Sequence, residues 1–473
     1  MSSDVTNHVA ITDIPPELIA TILQYLEHNP TKTYYSDLVR ISHSTSYLRQ
    51  AAINAPNLWT SIEITDKPAS FELAKACLDR SGVQPLDISI RMNKRLKSRL
   101  RGLLALVSYT ASRLRSLDIR VCLTDADQDW AQIETCFQQL ETPHLQNLRV
   151  EIVMFHERTS SPHRTLPIPH AANQLRTLSL SNTTPDPSSL PTLSTIKSLT
   201  ISSKWFWDSP YQSLIQVLNA ASSLEELTLK RTAALTYGPR RSPSSLPVIP
   251  SVNLPHLRHL TFRNVENDLL ALLLTNMIAP ELHEVTLDQT EGLNAADPNL
   301  RFAWNQIPIS PSFHSVVSLD IDIQLAVVVH KDQLAVFLAQ LFPNVKKLRM
   351  AWKTGREFVQ AWTFYWKLIN SPDAVGQVSS WPELGEIVLT GQDGVSCSKN
   401  CQTLLEDVGQ LLQTREKHGL PPLDLLRFEV CEGVKTWEGY SVACHRIREL
   451  LSSPKALDIL SLGKRDSSSR CSQ

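Results

Sequence analysis

Residues 196–229 read IKSLTISSKWFWDSPYQSLIQVLNAASSLEELTL, and this stretch decides the fold. It opens and closes on one six-residue form, L-x-x-L-x-L, with other apolar residues admitted at the leucine places. Within each copy the later positions alternate between apolar and polar, as a half-buried strand does. Between the copies, YQSLIQVLNAA (211 to 221) follows a helical pattern. The stretch is therefore strand, helix, strand.

The form recurs along the chain: LRSLDI from Leu114, LQNLRV from Leu145, LRTLSL from Leu175, IKSLTI from Ile196, LEELTL from Leu224 and LRHLTF from Leu257. It continues as LHEVTL from Leu282, VVSLDI from Val316, VKKLRM from Val345, LGEIVL from Leu384, LDLLRF from Leu423 and LDILSL from Leu457. Starting points lie 21 to 39 residues apart. Proline stands two residues ahead of several copies, at Pro143, Pro255, Pro280, Pro343 and Pro382. Helical patterns separate most copies, among them 130 to 140, 268 to 278, 332 to 342, 402 to 413 and 444 to 451. Upstream, the run at residues 61–64 reads as a strand. Next, SFELAKACLDRSG reads as a helix with Phe71, Ala74, Cys77 and Leu78 on one face and Gly82 past its end, and PLDISI as another strand. One strand plus one helix per unit, at a variable period, predicts an α/β chain whose body is a right-handed β/α solenoid. Each unit there buries its apolar face against its neighbours. These copies resemble leucine-rich repeats. In that family a small polar residue sits three places after the last apolar strand position, where this chain has Cys122, Thr183, Thr232, Thr290 and Cys431. Other copies carry bulky or charged residues there, which makes the repeats irregular.

Three stretches break the period. Residues 155–172 and 237–255 are rich in Pro and Ser and read as long exposed loops, and a third gap spans 291–313.

The N-terminal stretch, ITDIPPELIATILQYLEHNPTKTYYSDLVRISHSTSYLRQAAINAPNLWT (residues 11–60), has another character. Asp13, Pro15, Pro16 and Glu17 start a helix, since proline presets helical φ where an amide donor is dispensable and acids suit the positive end of the dipole. Leu18, Ile19, Ile22, Leu23 and Leu26 form an apolar stripe that ends at Asn29-Pro30. Two shorter helical segments follow, Tyr35 to Ser42 and Thr45 to Asn54, closed by Ala55-Pro56-Asn57-Leu58-Trp59. A three-helix unit this small needs a neighbour or a partner to cover its stripe.

A proline and acid opening an apolar helix, a middle helix of the LVRIS type and a closing P-x-L-W resemble an F-box, over about a tenth of the chain. Ser42 and Tyr47 stand where that family usually has Cys and Trp, and the linker at residues 28–34 is longer than usual. The resemblance implies docking on the small adaptor subunit of a cullin-type ubiquitin ligase. Ile14, Pro15, Pro16, Leu18, Ile22, Leu26 and Leu38 would then face the adaptor or support the face that does. The simpler reading is that the helices only cap the first repeat. The expected organisation is a disordered segment at 1–10, an F-box-like domain at 11–60, an irregular leucine-rich-repeat solenoid at 61–463 and a disordered tail at 464–473. Together these features imply a non-catalytic substrate receptor of an SCF-type ligase, joined through its adaptor to a cullin and holding a protein substrate. A plain interaction scaffold is the alternative.

Composition is consistent with that reading. A formal charge of −1 gives no general pull toward nucleic acid or anionic membrane. No apolar run reaches the length of a membrane span, and eight scattered cysteines suit reduced thiols in the cytoplasm or nucleus. No P-loop, G-x-S-x-G elbow or H-E-x-x-H is present, and 14 glycines leave few tight turns for phosphate or oxyanion binding. No cofactor is expected.

Aromatic side chains mark candidate substrate-binding positions. Trp205 and Trp207 flank Phe206, and Trp352 and Trp362 belong to a group with Phe358, Phe364, Tyr365 and Trp366. Both groups fall beyond strand ends, and Trp is enriched at binding hot spots. Filling the core between uneven repeats is the ordinary alternative. The basic run Arg91, Lys94, Arg95, Lys97, Arg99 and Arg101 reads as the solvated face of an amphipathic helix, and a nuclear-import or acidic-partner role is the rarer reading. Cys397, Cys401, Cys431, Cys444 and His445 have ligand types for zinc but lack a second close pair.

Overall fold

A computed structural model of the chain describes residues 11–27, 34–92, 100–123, 126–154, 164–202, 210–230, 250–265, 267–288, 313–322, 337–352, 381, 383–391, 408–409, 412–413, 415–417, 419–431 and 457–462. The chain is mixed α/β and divides into two compact units, Met1–Thr192 and Leu193–Gln473. The division falls inside the span read from sequence as a single body.

The first unit begins with three helices, α1 (Pro16–Glu27), α2 (Tyr34–Ser44) and α3 (Ser46–Ile53). Thr45 caps α3 by accepting from the Leu48 amide at 3.1 Å, which satisfies a donor the helix cannot. Leu38, Leu48, Ala51 and Ala52 form the small core between them. A 3₁₀ turn, Pro56–Trp59, leads into β1 (Ser61–Thr65). Helix α4 (Pro68–Arg80) follows, and Gly82 leaves it at φ 56°, the left-handed conformation glycine adopts without penalty.

Four more strands complete this unit's sheet: β2 (Leu86–Met92), β3 (Leu114–Leu123), β4 (Asn147–Met154) and β5 (Thr177–Ser181). Their spatial order is β1-β2-β3-β4-β5, every pair parallel. Parallel neighbours need crossovers, and helices supply three of them, α4 and then α5 (Leu100–Thr110) and α6 (Ala126–Gln139). The 21-residue step between β5 and the next copy, the shortest in the chain, has room only for a 3₁₀ helix, Pro187–Thr195.

The second unit's described strands are β6 (Ser198–Ser202), β7 (Glu226–Lys230), β8 (His259–Arg263), β9 (Glu284–Asp288), β10 (Ser318–Asp322), β11 (Lys347–Trp352), β12 (Glu386–Gly391), β13 (Leu425–Cys431) and β14 (Leu457–Leu462). They too lie in sequence order and pair in parallel. Helices α7 (Pro210–Ala220) and α8 (Asn267–Asn276) occupy two of the connections.

All twelve copies of the six-residue form coincide with strands. In the copies from Leu114 to Val345 the first, fourth and sixth positions are the core: Leu224, Leu227 and Leu229 are fully shielded, as are Leu257, Leu260 and Phe262, and Val316, Leu319 and Ile321. At about 25 cal/mol per Å² of apolar surface, such repeated burial is the main force holding each sheet to its helices. The first apolar position has a second task. From β4 to β10 it precedes the strand and closes a turn: Leu145, Leu257 and Leu282 each donate to the carbonyl three residues back, at 3.2 Å. Pro143, Pro255 and Pro280 stand at the second position of those turns, where a fixed φ is favoured, so they set turns rather than open strands. The residue after the turn bonds to its counterpart in the preceding copy. In the second unit this gives an unbroken series from Lys197 through Glu225, Arg258, His283, Val317, Lys346 and Gly385 to Asp424, with N···O distances of 2.7–3.0 Å.

Several expectations are corrected. Residues 164–172 are not an exposed loop: Leu166, Pro167, Ile168, Pro169 and Ala172 are buried, and Thr165–Leu166 pairs with Thr184–Pro185. Prolines extend the backbone there and leucine and isoleucine alternate, a strand-like pattern hidden by the composition around it. The end of the second loop behaves alike, since Val252–Asn253 pairs with Met277–Ile278 and Val252 and Leu254 are buried. Arg91 lies on β2, not on a helix, and reaches Glu63 at 3.6 Å. The last copy is out of frame: Leu457 pairs with Leu426, the fourth position of its own copy, so the frame has slipped by three residues. An odd slip exchanges the two faces of a strand.

A left-handed residue stands one place before the small polar position in two of the turns. Asn182 and Asn264 take positive φ, 59° and 54°, which asparagine tolerates better than most residues. Asn182 Nδ2 donates to Ile152 O at 2.6 Å, binding one copy to the one before it. Thr183 is buried and its hydroxyl donates to Arg164 O at 2.9 Å. Cys122 is buried on β3, and Thr232 and Thr290 lie outside the described residues.

Candidate functional site: the outer face of the first helix

The apolar stripe of α1 is two stripes. Ile19 and Leu23 are 3% and 4% exposed and face the other helices, as i, i+4 neighbours share a side. Leu18, Ile22 and Tyr25 are 55%, 56% and 74% exposed and form a second apolar row on the side facing away. Ile11, just before the helix, is exposed as well. Scattered surface leucines are ordinary, but three large apolar side chains in consecutive turns of one helix form a contiguous patch of the kind that marks contact sites.

Local hydrogen bonds hold this face in position. Pro15 O accepts from the amides of Leu18 and Ile19, at 3.0 and 3.2 Å, and so closes the first turn. Ile14 is half-buried, and its carbonyl accepts from the Tyr47 hydroxyl, which ties α3 to the start of α1. Below, Trp59 is wholly buried, donates from Nε1 to Ala52 O at 2.7 Å, and carries the Arg80 guanidinium 4.4 Å above its ring. That cation–π contact links the helical group to α4.

Of the residues singled out from sequence, Leu18 and Ile22 lie on the exposed row with Pro15 and Pro16 exposed beside them. Leu38 is completely buried and supports the face from within. Leu26 belongs to α1, but its side chain lies outside the described residues. Ile11 and Tyr25 were missed. Tyr25 stands seven residues after Leu18 and three after Ile22, and that helical spacing was the signal available for it.

The aromatic candidates fare differently. Trp205, Trp207 and Trp362 lie outside the described residues, as do Cys397, Cys401, Cys444 and His445. Trp352 is the last residue of β11, in register with Gly391, rather than beyond the strand end. The tryptophans whose side chains are described, Trp59, Trp130 and Trp381, are all buried. Trp381 donates from Nε1 to Phe342 O at 2.6 Å, a core role.

The solvent-facing side of the strands is paved with cross-strand ion pairs. In the first unit Arg149 lies 3.9 Å from Asp118 on the neighbouring strand and 3.4 Å from Glu151 on its own, and Arg120 lies 3.4 Å from Glu151 across strands. In the second, Arg263 meets Asp288 at 2.7 Å and Arg349 meets Asp320 at 4.0 Å. Partial burial raises the Asp118 and Asp320 carboxyls above their ordinary value, against the pull of Arg149 and Arg349. Within the second unit Thr200, Thr228, Thr261 and Thr286 stand in one register row. Among the described residues no group of three or more His, Cys, Asp or Glu side chains could hold a metal ion, and no helix is long and apolar enough to cross a membrane.

No family model matches the chain, and no curated protein matches it.

Proposed function

We propose that this chain is the substrate-recognition subunit of an SCF-type ubiquitin ligase. Its N-terminal helices act as an F-box that docks on the adaptor, and through it on a cullin. A right-handed solenoid of irregular leucine-rich repeats follows and holds a protein substrate. The role is placement: a substrate gripped at one end of the assembly is kept at high effective concentration near a ubiquitin-loaded conjugating enzyme, with no covalent step in this chain. The observation that carries this reading is the outward row Leu18, Ile22 and Tyr25 on a helix whose opposite row already serves its own core. A helix needs only one apolar side to fold, so the second side is available to another protein.

Leu18→Asp and Ile22→Asp test it, with the full chain titrated calorimetrically into recombinant adaptor subunit. Each change should weaken binding by about 2 kcal/mol or more, some thirtyfold in Kd, because a charge would be buried at the contact. Circular dichroism should stay unchanged, since both side chains are already in water. Unaltered affinity, or no binding by the parent chain, overturns the proposal.

A second reading, a non-catalytic scaffold whose helices only cap the repeats, draws on a different observation. Trp59, held by Ala52 O and Arg80, fastens the helical group to the first strand and helix. That arrangement serves a cap equally well. Failure of adaptor binding in the parent chain would favour it.

A further inference from the structure

We draw no further inference here: the strongest candidate, the in-register row of Thr200, Thr228, Thr261 and Thr286 on the solvent-facing side of the second unit's strands, is an unpartnered sheet face and nothing in the structure shows what covers it.

Discussion

Single side chains do more than fill space in this protein. Trp59 contributes an indole N–H that satisfies the buried Ala52 carbonyl, besides the apolar bulk of its ring. Trp59→Phe keeps most of that bulk and removes one donor while the Ala55 amide still reaches the carbonyl, so it should cost about 0.5–1.5 kcal/mol, read as a lower urea midpoint at unchanged slope. Cys77 offers a test of burial through pH. Its thiol, 1% exposed, is pushed up to about 12 by desolvation, the nearby Arg80 opposing only in part. The unfolded chain therefore loses this proton first. The thiol's contribution to stability is intact below pH 9.0 and is lost as pH rises toward about 12. At about pH 9.5 Cys77 should resist iodoacetamide in the native protein and react once urea unfolds it, as peptide mass spectrometry would show. Labelling at equal rates in both states would mean that α4 does not shield it. Asn182 shows where residue-scale reading from sequence stops. Its left-handed φ and its bond to Ile152 O depend on the previous copy being alongside, and no pattern local to residues 175–183 reports that.

At the scale of elements, the strands were legible because alternation is a local signal repeated twelve times, and each copy confirms the spacing of the others. Two adjacent residues of β7 isolate the principle. Leu227 is 1% exposed, and Leu227→Ala should cost about 2–5 kcal/mol through lost burial and the cavity left behind. Thr228, on the opposite side, is only partly buried, and Thr228→Ala should stay within roughly 0.5 kcal/mol. Thermal melts of both variants decide it, and equal destabilisation would contradict the inward-outward assignment. Helix α1 was legible as a helix but not as a two-sided one. Periodicity places Leu18 and Ile19 only about 100° apart, and which of them faces inward depends on where α2 and α3 lie. Residues 164–172 were misread for the converse reason. Prolines and serines dominate the surrounding composition, while burial there comes from Thr184–Pro185 and from Ser189, whose hydroxyl accepts from the Ile168 amide at 2.8 Å.

At the scale of the molecule, each unit is ordered as its sequence is ordered, and the force that holds it is apolar. The ion pairs on the strands are largely half-exposed, so each is worth little and is screened by salt. Raising sodium chloride from about 0.05 to about 0.5 M should therefore move the melting temperature by no more than about 3 °C in a calorimetric scan. A much larger fall would assign the strand-face charges a structural role. Sequence made the candidate docking helix visible through its prolines and leucines, yet the row proposed to dock is a second apolar row that only tertiary packing distinguishes from the first.

The closed turn before most of the strands from β4 on also determines where this lineage can change length. Because a carbonyl three residues back and the counterpart carbonyl in the preceding copy reset the ladder at each such turn, whatever chain was gained or lost in between leaves no error to accumulate. Connections spanning 21 to 39 residues from one start to the next are the result. A single residue inserted inside a strand has no such remedy, for it would turn leucines to water and charges to the interior. Natural insertions and deletions should accordingly collect between the six-residue cassettes and spare the cassettes themselves.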